Sequence, residues 1–425
     1  MKWLKRIVVL TTVVGVGAAI WLVGYQQGSQ QPAGAPPGVV TTSTTTQASE
    51  TPPTSGSVST DVSTTTTIVG QRVVVRGAPL PPAPPPEPGV DPDFEGYGVA
   101  IVAVGGADLS NRVDGDPYVR AHEGLTLPVL ASYGEWVQVM TPCDDVSWAR
   151  RGELAITAHR TPPEPGPGFD LSTAVIVVDP GHGGENNIGA VGRQGTPEKT
   201  INQLIAGRLR DLLQSSHLID WETGDIYTGD EVPAVGAVLM TRSPGVLEGD
   251  YEAGLIFRAT LANAAGADVL MSIHNNAGHE IDLLMPGSDV FYQSQSDDSR
   301  RLAALLAEEF QRSFEGFNAS WVGAEFVGAK SRLSPRDRTS QYYGILRRSE
   351  VPAVIAEGSY LSNPDEEALL NTARFQQAYA EAAYRAIVRF LTTDDVGGES
   401  TDPEVWEGFA GSGAPATECL VPSQP

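Results

Sequence analysis

Two histidines and two glutamates stand where an enzyme built on a sheet would place its chemistry. His182 follows the apolar run Val175-Ile176-Val177-Val178 and the stop Asp179-Pro180-Gly181. His274 ends the run Val269-Leu270-Met271-Ser272-Ile273, and Glu357 directly follows Ala353-Val354-Ile355-Ala356. Short apolar runs closed by turn residues read as buried strands, and open α/β sheets carry their sites beyond the carboxyl ends of such strands. Thr196-Pro197-Glu198 has the form of a helix start. Thr196 reads as the cap, Pro197 as the first helical residue, and Glu198 as a carboxylate at the positive end of the helix dipole. Two imidazoles and one carboxylate can hold zinc with a fourth position open to water, whose pKa then falls to about 7. A second carboxylate, free of the metal, can carry the water's proton to a leaving nitrogen. The set fits metal-assisted amide hydrolysis.

Each residue alone has an ordinary reading. A histidine after a strand is usually a hydrogen-bonded loop residue, and a glutamate in a first helical turn contributes roughly 0.3–1 kcal/mol through the dipole. Glu357, next to four apolar residues, is partly buried and needs a partner. Convergence of all four on one sheet edge separates the catalytic reading from the ordinary ones. Gly183 and Gly184 let the chain fold tightly beside His182, and the loop to Gly195 carries it on to Glu198.

The elements that must position these groups alternate along the chain. Strands are expected at Val175–Val178, Ala237–Met240, Val269–Ile273, Val290–Tyr292 and Ala353–Ala356. Helices are expected at Pro197–Gln214, Tyr251–Ala265, Ser299–Phe314, Pro364–Asn371 and Ala373–Leu391. Three-and-four spacing is evident in Ile201, Leu204, Ile205, Leu209, Leu212 and in Phe375, Ala378, Tyr379, Ala382, Ala386. The alternation predicts an α/β fold, a twisted, largely parallel sheet with helices on both faces. Before it, residues 97–160 show short β-type runs at Val99–Val104, Leu127–Leu130, Glu135–Met140 and Glu153–Ala158, the spacing of a small all-β barrel.

Taken together, Val178-Asp179-Pro180-Gly181-His182-Gly183-Gly184, Glu198-Lys199, Met240-Thr241-Arg242, Arg258 with Ala262-Asn263, Ser272-Ile273-His274-Asn275-Asn276-Ala277 and Glu357-Gly358 to Leu361-Ser362-Asn363 resemble the zinc-dependent N-acetylmuramoyl-L-alanine amidases of the AmiA/AmiB/AmiC type. The resemblance runs from about Ala174 to Phe390. It implies Zn2+ on His182, Glu198 and His274, with Glu357 as the catalytic glutamate. It also implies a substrate, peptidoglycan, cut between N-acetylmuramic acid and L-alanine. Asn276 is a candidate for substrate binding and Arg258 for a structural ion pair. Tyr360 replaces the family's usual Phe, and Ser215–Val235 is longer than the usual connection. Some members carry an inserted helix that blocks the zinc until a partner withdraws it. Between Tyr292 and Tyr343 this chain shows one ordinary helix and an Arg/Ser-rich loop, Lys330–Arg338, so that device is not expected; Glu325 is the loop residue able to reach the metal. The alternatives are a zinc peptidase acting on stem peptides and a catalytically silent wall-binding regulator. In the β-rich segment, Ser132–Val139, Ser147-Trp148 and Gly152-Glu153-Leu154 resemble the second half of bacterial SH3-like domains, implying a wall-binding module or a spacer with its tryptophans in the core.

Composition bounds the setting. The chain has 425 residues and a formal net charge of −24, and residues 97–425 hold 23 basic against 46 acidic side chains. Such a body gains no counterion-release energy from nucleic acid or anionic membrane surfaces, so no nucleic-acid partner is expected. Lys2, Lys5 and Arg6 precede Ile7–Tyr25, 19 residues without a charge. The run reads as a single-pass signal-anchor with its N-terminus inside, or as a signal peptide cleaved near Ala33-Gly34-Ala35; both export the remainder of the chain. Thr- and Pro-rich residues 29–96 read as a disordered tether, spanning about 50 Å as a coil or about 200 Å as polyproline helix. The expected order is a cytoplasmic stub with membrane anchor (1–28), linker (29–96), SH3-like domain (97–160), short linker (161–172), extracytoplasmic catalytic domain (173–392) and a loosely ordered acidic tail (393–425). Cys143 and Cys419 are the only cysteines, and in an oxidising compartment they can pair. Divisome or activator partners are not specified by these residues.

Overall fold

Val- and Leu-rich strands of four to eight residues build the first folded unit, and a computed structural model shows how they close. It describes residues 67–68, 71–72, 74–75, 98–246, 249–278, 287–317, 328–407 and 418–423. The Ile7–Tyr25 run, most of the Thr/Pro tether and Glu325 lie outside the described residues. Among those described, no helix is long and apolar enough to cross a membrane.

The first unit comprises β1 (Val99–Val102), β2 (Ala107–Ser110), β3 (Pro117–Ala121), β4 (Thr126–Tyr133), β5 (Trp136–Met140), β6 (Val146–Arg150) and β7 (Leu154–Thr157). They form one antiparallel sheet in the order β7-β1-β4-β5-β6-β2-β3. Of these, β2, β3 and β6 escape the sequence reading because turns and charges interrupt their apolar pattern. Trp136 and Trp148 are buried.

The second unit is a mixed α/β layer structure. Its strands are β8 (Val175–Pro180), β9 (Ala237–Met240), β10 (Val269–Asn276), β11 (Asp289–Tyr292), β12 (Ala329–Lys330) and β13 (Ala353–Tyr360), in the order β9-β8-β10-β13-β11-β12. The first four are mutually parallel, whereas β11 runs antiparallel to β13 and parallel to β12, so the sheet is mixed. Side-chain alternation then divides the core. Ile176, Val178, Met271, Ile273, Val290 and Val354 meet one helical layer, α1 (Glu198–Leu213), α3 (Asp297–Phe314) and α6 (Ala373–Thr392). Val177, Leu270, Phe291, Ala353 and Ile355 meet the other, α2 (Leu255–Ala265) and α4 (Gly344–Arg348). A short helix, α5 (Pro364–Leu370), follows β13.

Several expected boundaries shift for identifiable reasons. Thr196 does not cap α1: Pro197 holds the cap position without a side-chain bond. The carbonyls of Ala190 and Ile188 instead accept from the N–H groups of Glu198 and Lys199. Helix α2 begins at Leu255 rather than Tyr251. The tail is not loose over residues 393–407. Thr401 N donates to Ala329 O, Glu404 N to Ser331 O and Trp406 N to Leu333 O, adding a strand segment to the sheet edge. The Ser215–Val235 stretch forms a small hairpin, His217–Ile219 with Ile226–Thr228. It covers the α1/α6 end of the core, where the His217 ring packs on Tyr384 and Gly224 O accepts from the Arg385 guanidinium.

The two units share an apolar cluster in which Leu125, Leu127 and Val129 pack with Tyr251, Phe257 and Leu261. Asp144 Oδ1 accepts from Phe257 N at 2.7 Å, and Gly254 N donates to Pro142 O at 2.6 Å. The β unit thus supplies the capping carboxylate at the start of α2, which has no cap of its own. Beside it, Cys143 and Cys419 are bonded, 276 residues apart, and Glu418–Cys419 pairs with Val74–Val75. A loop of that length gives an upper bound of about 5.6 kcal/mol on a chain-entropy model. Adding reductant, or introducing Cys143→Ser, is expected to lower the unfolding free energy by up to that amount. Denaturant unfolding with and without reductant checks this, and equal curves would refute a stabilising bond.

Candidate metal centre

Strand β8 ends at Pro180, and the chain turns through Gly181 into His182, which adopts a left-handed backbone conformation (φ 63°). A non-glycine residue there costs about 1–2 kcal/mol and persists only when its surroundings over-determine it. They do so here. Arg258 Nη2 donates to His182 O at 2.6 Å and Nη1 to Pro180 O at 2.9 Å. Arg242 Nε donates to Pro180 O at 3.1 Å and its Nη2 to Gly181 O at 3.2 Å. Gly181 itself is required by space: a Cβ there would lie 2.2 Å from the His274 ring.

One of the two arginines answers to a buried carboxylate. Asp179, fully buried, pairs with Arg258 Nη1 and accepts from Thr241 Oγ1 and Ser272 Oγ, each at 2.5 Å. Burial pushes its pKa up, but the Arg258 charge and the two hydroxyls outweigh this and hold it below the ordinary value. Arg242 has its pKa lowered to about 10 by burial and by the neighbouring Arg258 charge.

His182 Nε2 lies 3.0 Å from Glu198 Oε2, and His274 Nδ1 lies 3.0 Å from Glu198 Oε1. One ligand atom from each of the three falls within 4.8 Å of the others, a grouping able to hold a metal ion. Outer partners orient His182 and Glu198. His182 Nδ1 contacts Asn187 Oδ1 at 2.7 Å. Glu198 accepts from Ala190 N at 2.9 Å, Asn202 Nδ2 at 3.2 Å and Asn275 N at 3.2 Å. Burial would raise the pKa of Glu198, yet the two histidines hold it well below the ordinary value. Burial opposes protonation of both rings; at His182 the Glu198 charge prevails and the pKa rises, whereas at His274 burial prevails and it falls.

Glu357 reaches the same edge by strand register, paired with His274 on one side and Asp289 on the other. Both His274 and Glu357 lie inside their strands, not just beyond them, because β10 and β13 extend past the expected ends at Ile273 and Ala356. Tyr379 ties the two strands from behind, its hydroxyl bonding to Ala356 O at 2.7 Å and His274 O at 3.1 Å. Glu357 Oε2 has no hydrogen-bond partner among the described residues. Burial, then the charges of Glu198 and Asp289, push its pKa well above the ordinary value against the opposing charge of Arg332. A buried carboxylate raised in this way takes up a proton more readily than a solvated one.

Asn276 is engaged with the protein: its Nδ2 donates to Asp289 Oδ2 at 3.1 Å and its Oδ1 accepts from Ala277 N at 2.9 Å. Sequence reasoning misses Asp179, Asn187, Asn202 and Asp289 as supporting groups, and Glu367, which accepts from Gln194 N at 2.9 Å and fixes the loop before α1. Only Asp179, a carboxylate amid an apolar strand, carries a signal that could have revealed it.

One comparison with known proteins falls on the residues that carry this grouping. The family profile described as N-acetylmuramoyl-L-alanine amidase matches residues 176–389. The chain is 29% identical over 245 residues to N-acetylmuramoyl-L-alanine amidase AmiA of Escherichia coli, covering 51% of this chain and 76% of that protein. It is 27% identical over 224 residues to the germination-specific N-acetylmuramoyl-L-alanine amidase of Bacillus subtilis, covering 52% and 81%. A solved N-acetylmuramoyl-L-alanine amidase from Clostridium difficile superposes with a TM-score of 0.39 at 26% identity, over 53% of this chain and 100% of that one.

Replacing Asp179 with Asn leaves Arg258 buried without its charge partner, a change that costs about 3–5 kcal/mol. Because the folded pKa of Asp179 is depressed, its contribution is full above its unfolded value near 4 and fades as pH falls through the folded value. The stability gap between wild type and Asp179→Asn should therefore be widest near neutral pH and shrink in acid. Denaturant titrations from about pH 7 down to about pH 3 test it, and a gap independent of pH would refute the charge argument.

Proposed function

The chain belongs to the N-acetylmuramoyl-L-alanine amidase family, and from that premise we propose zinc-dependent hydrolysis of the amide joining N-acetylmuramic acid to L-alanine in peptidoglycan. The observation that carries the metal reading is the His182, Glu198, His274 grouping. Two ligands about 2.05 Å from one tetrahedral zinc sit about 3.3 Å apart, close to the 3.0 Å nitrogen–oxygen separations found here. The donor types, two imidazoles and a carboxylate, are those of catalytic zinc sites. Outer-sphere bonds from Asn187, Asn202 and Asn275 hold the set in place. Zinc bound there would polarise the amide carbonyl and bring the pKa of its water near 7.

The protein's own steps fall to neighbouring groups. Glu357, raised in pKa and with one oxygen free of hydrogen bonds among the described residues, accepts the proton of the attacking water. It then delivers that proton to the departing nitrogen of L-alanine, so the free amine leaves and Glu357 returns to its carboxylate. Tyr379 and the β10–β13 register keep Glu357 beside His274 through both transfers.

We read the β unit as an SH3-like spacer rather than a wall-binding module, because its tryptophans are buried and it caps α2. The Ile7–Tyr25 run and the Thr/Pro-rich tether support export and attachment to the membrane, with the enzyme outside the cytoplasm.

Mass analysis of digested peptidoglycan should show glycan strands with a free muramic lactyl carboxyl and stem peptides with a free L-alanine amine. Cleavage between amino acids alone would refute the assignment. Metal analysis should find one zinc per chain in the wild type and in Glu357→Gln, and little in His182→Ala or His274→Ala. Glu357→Gln should lose activity by about 10²-fold or more; retention of full rate would remove Glu357 from the mechanism.

A further inference from the structure

Two cations stand on the sheet edge beyond Glu357, and they differ in how they are neutralised. Lys330 pairs with Asp289, which also accepts from Asn276 Nδ2 and the Tyr360 hydroxyl, each at 3.1 Å. Arg332 pairs with no carboxylate among the described residues. Its only side-chain hydrogen bond among them runs from Nη1 to the neutral Tyr343 hydroxyl at 2.7 Å. Yet its guanidinium is firmly placed: the carbon lies 3.5 Å from the Trp406 ring centroid and 4.4 Å from that of Phe291. An arginine packed on aromatic rings keeps its charge and leaves N–H groups at its edge for hydrogen bonding. Burial raises Tyr343, so this phenol stays neutral and offers no counter-charge.

Trp406 belongs to the tail, beyond the family-matched residues 176–389. Pairing of Arg332 with Glu404 and of Leu333 with Val405 brings it over Arg332. The tail's order therefore bears on the site's edge.

The strand order sets the direction. From His274 the sheet steps to Glu357, then to Asp289, while Phe291, opposite Ile355, pairs with Lys330; Arg332 follows two residues on, in the short pairing with Glu404, and its guanidinium lies back over the Phe291 ring. Neighbouring strands are about 4.8 Å apart, so Lys330 and Arg332 lie some three spacings from the metal ligands and the arginine side chain reaches part of the way back. An extended peptide covers such a span within a few residues. In the substrate proposed above, the muramic carboxyl is consumed in the scissile amide, and the remaining carboxylates belong to the stem peptide.

We propose that Arg332, clamped by Trp406 and Phe291, is a specificity-determining residue that receives a stem-peptide carboxylate on the far side of Glu357 from the metal. This rests on the amidase reading. It implies that a stem peptide with free carboxylates is preferred over the same peptide amidated, since a planar guanidinium edge matches a carboxylate with two parallel hydrogen bonds and an amide with fewer.

The test is steady-state kinetics of the zinc-loaded full chain on two soluble muropeptides, identical except that one has its stem carboxylates amidated. Wild type should favour the free acid, and Arg332→Gln should cut the ratio of kcat/KM for the free acid over the amidated substrate by about tenfold or more; any change common to both substrates, such as follows from removing the charge that opposes the raised pKa of Glu357, cancels in that ratio. Arg332→Lys, which keeps the charge but not the fork, should recover only part of the loss. Equal losses on both substrates, leaving the ratio unchanged, would confine Arg332 to the electrostatics of Glu357 and overturn the proposal. Trp406→Ala gives a second variant should Arg332→Gln fail to fold: it should weaken discrimination without abolishing turnover, and unchanged discrimination counts against the clamp. If wild type releases product from neither muropeptide, the amidase reading fails. Calorimetric binding of the two ligands to Glu357→Gln, with and without Arg332→Gln, then decides the carboxylate site by itself, and equal affinities would overturn it.

Discussion

A carboxylate buried in the first parallel strand governs the rest of the site. Asp179 holds Arg258 by charge, Thr241 on the neighbouring strand β9 and Ser272 on β10 by hydrogen bonds, so three elements meet at one side chain. Arg258 spends its remaining donors on the carbonyls of Ala253, Pro180 and His182. The turn carrying the first imidazole is thereby pinned in a conformation that an isolated peptide would leave. Burying such a pair is not cheap, and its worth here is geometric: it fixes where His182 points.

The other groups at the edge depend on sheet register in the same way. Parallel pairing sets His274 beside Glu357, antiparallel pairing sets Asp289 on its other side, and a one-residue slip would send either to the opposite face. Tyr379 resists such a slip by bonding carbonyls of both strands from a single hydroxyl. Burial, then the like charges of Glu198 and Asp289, raise the pKa of Glu357 at that position.

The chemistry was more legible in the sequence than the scaffold around it. His182, His274 and Glu357 each terminate or follow an apolar run, and Glu198 follows a proline, so local pattern alone marks them. The groups that support them are non-local and leave no such mark: Asn187 and Asn202 look like ordinary loop and helix residues, and Glu367 looks like a surface helix charge until the chain folds 173 residues back on itself to meet Gln194. The reversed strand β11 was hidden for a related reason, since an apolar run has no direction. The acidic, Gly-rich tail reads as loose because its own composition buries little; its order over residues 393–407 comes from borrowed partners, the Ala329–Leu333 edge and the arginines of α3.

Asp144 of the β unit caps a helix 113 residues further along the chain, and that helix carries Arg258. The family match begins at residue 176, but the body that holds the His182 turn begins earlier, with strands that share its apolar cluster. Folding inherits this dependence. A contact of such sequence separation is slow to form, and a β unit already closed when the later residues emerge offers α2 a ready template. The limit of homology and the limit of the cooperative unit therefore fall at different residues, and the smaller domain is part of the larger one's foundation.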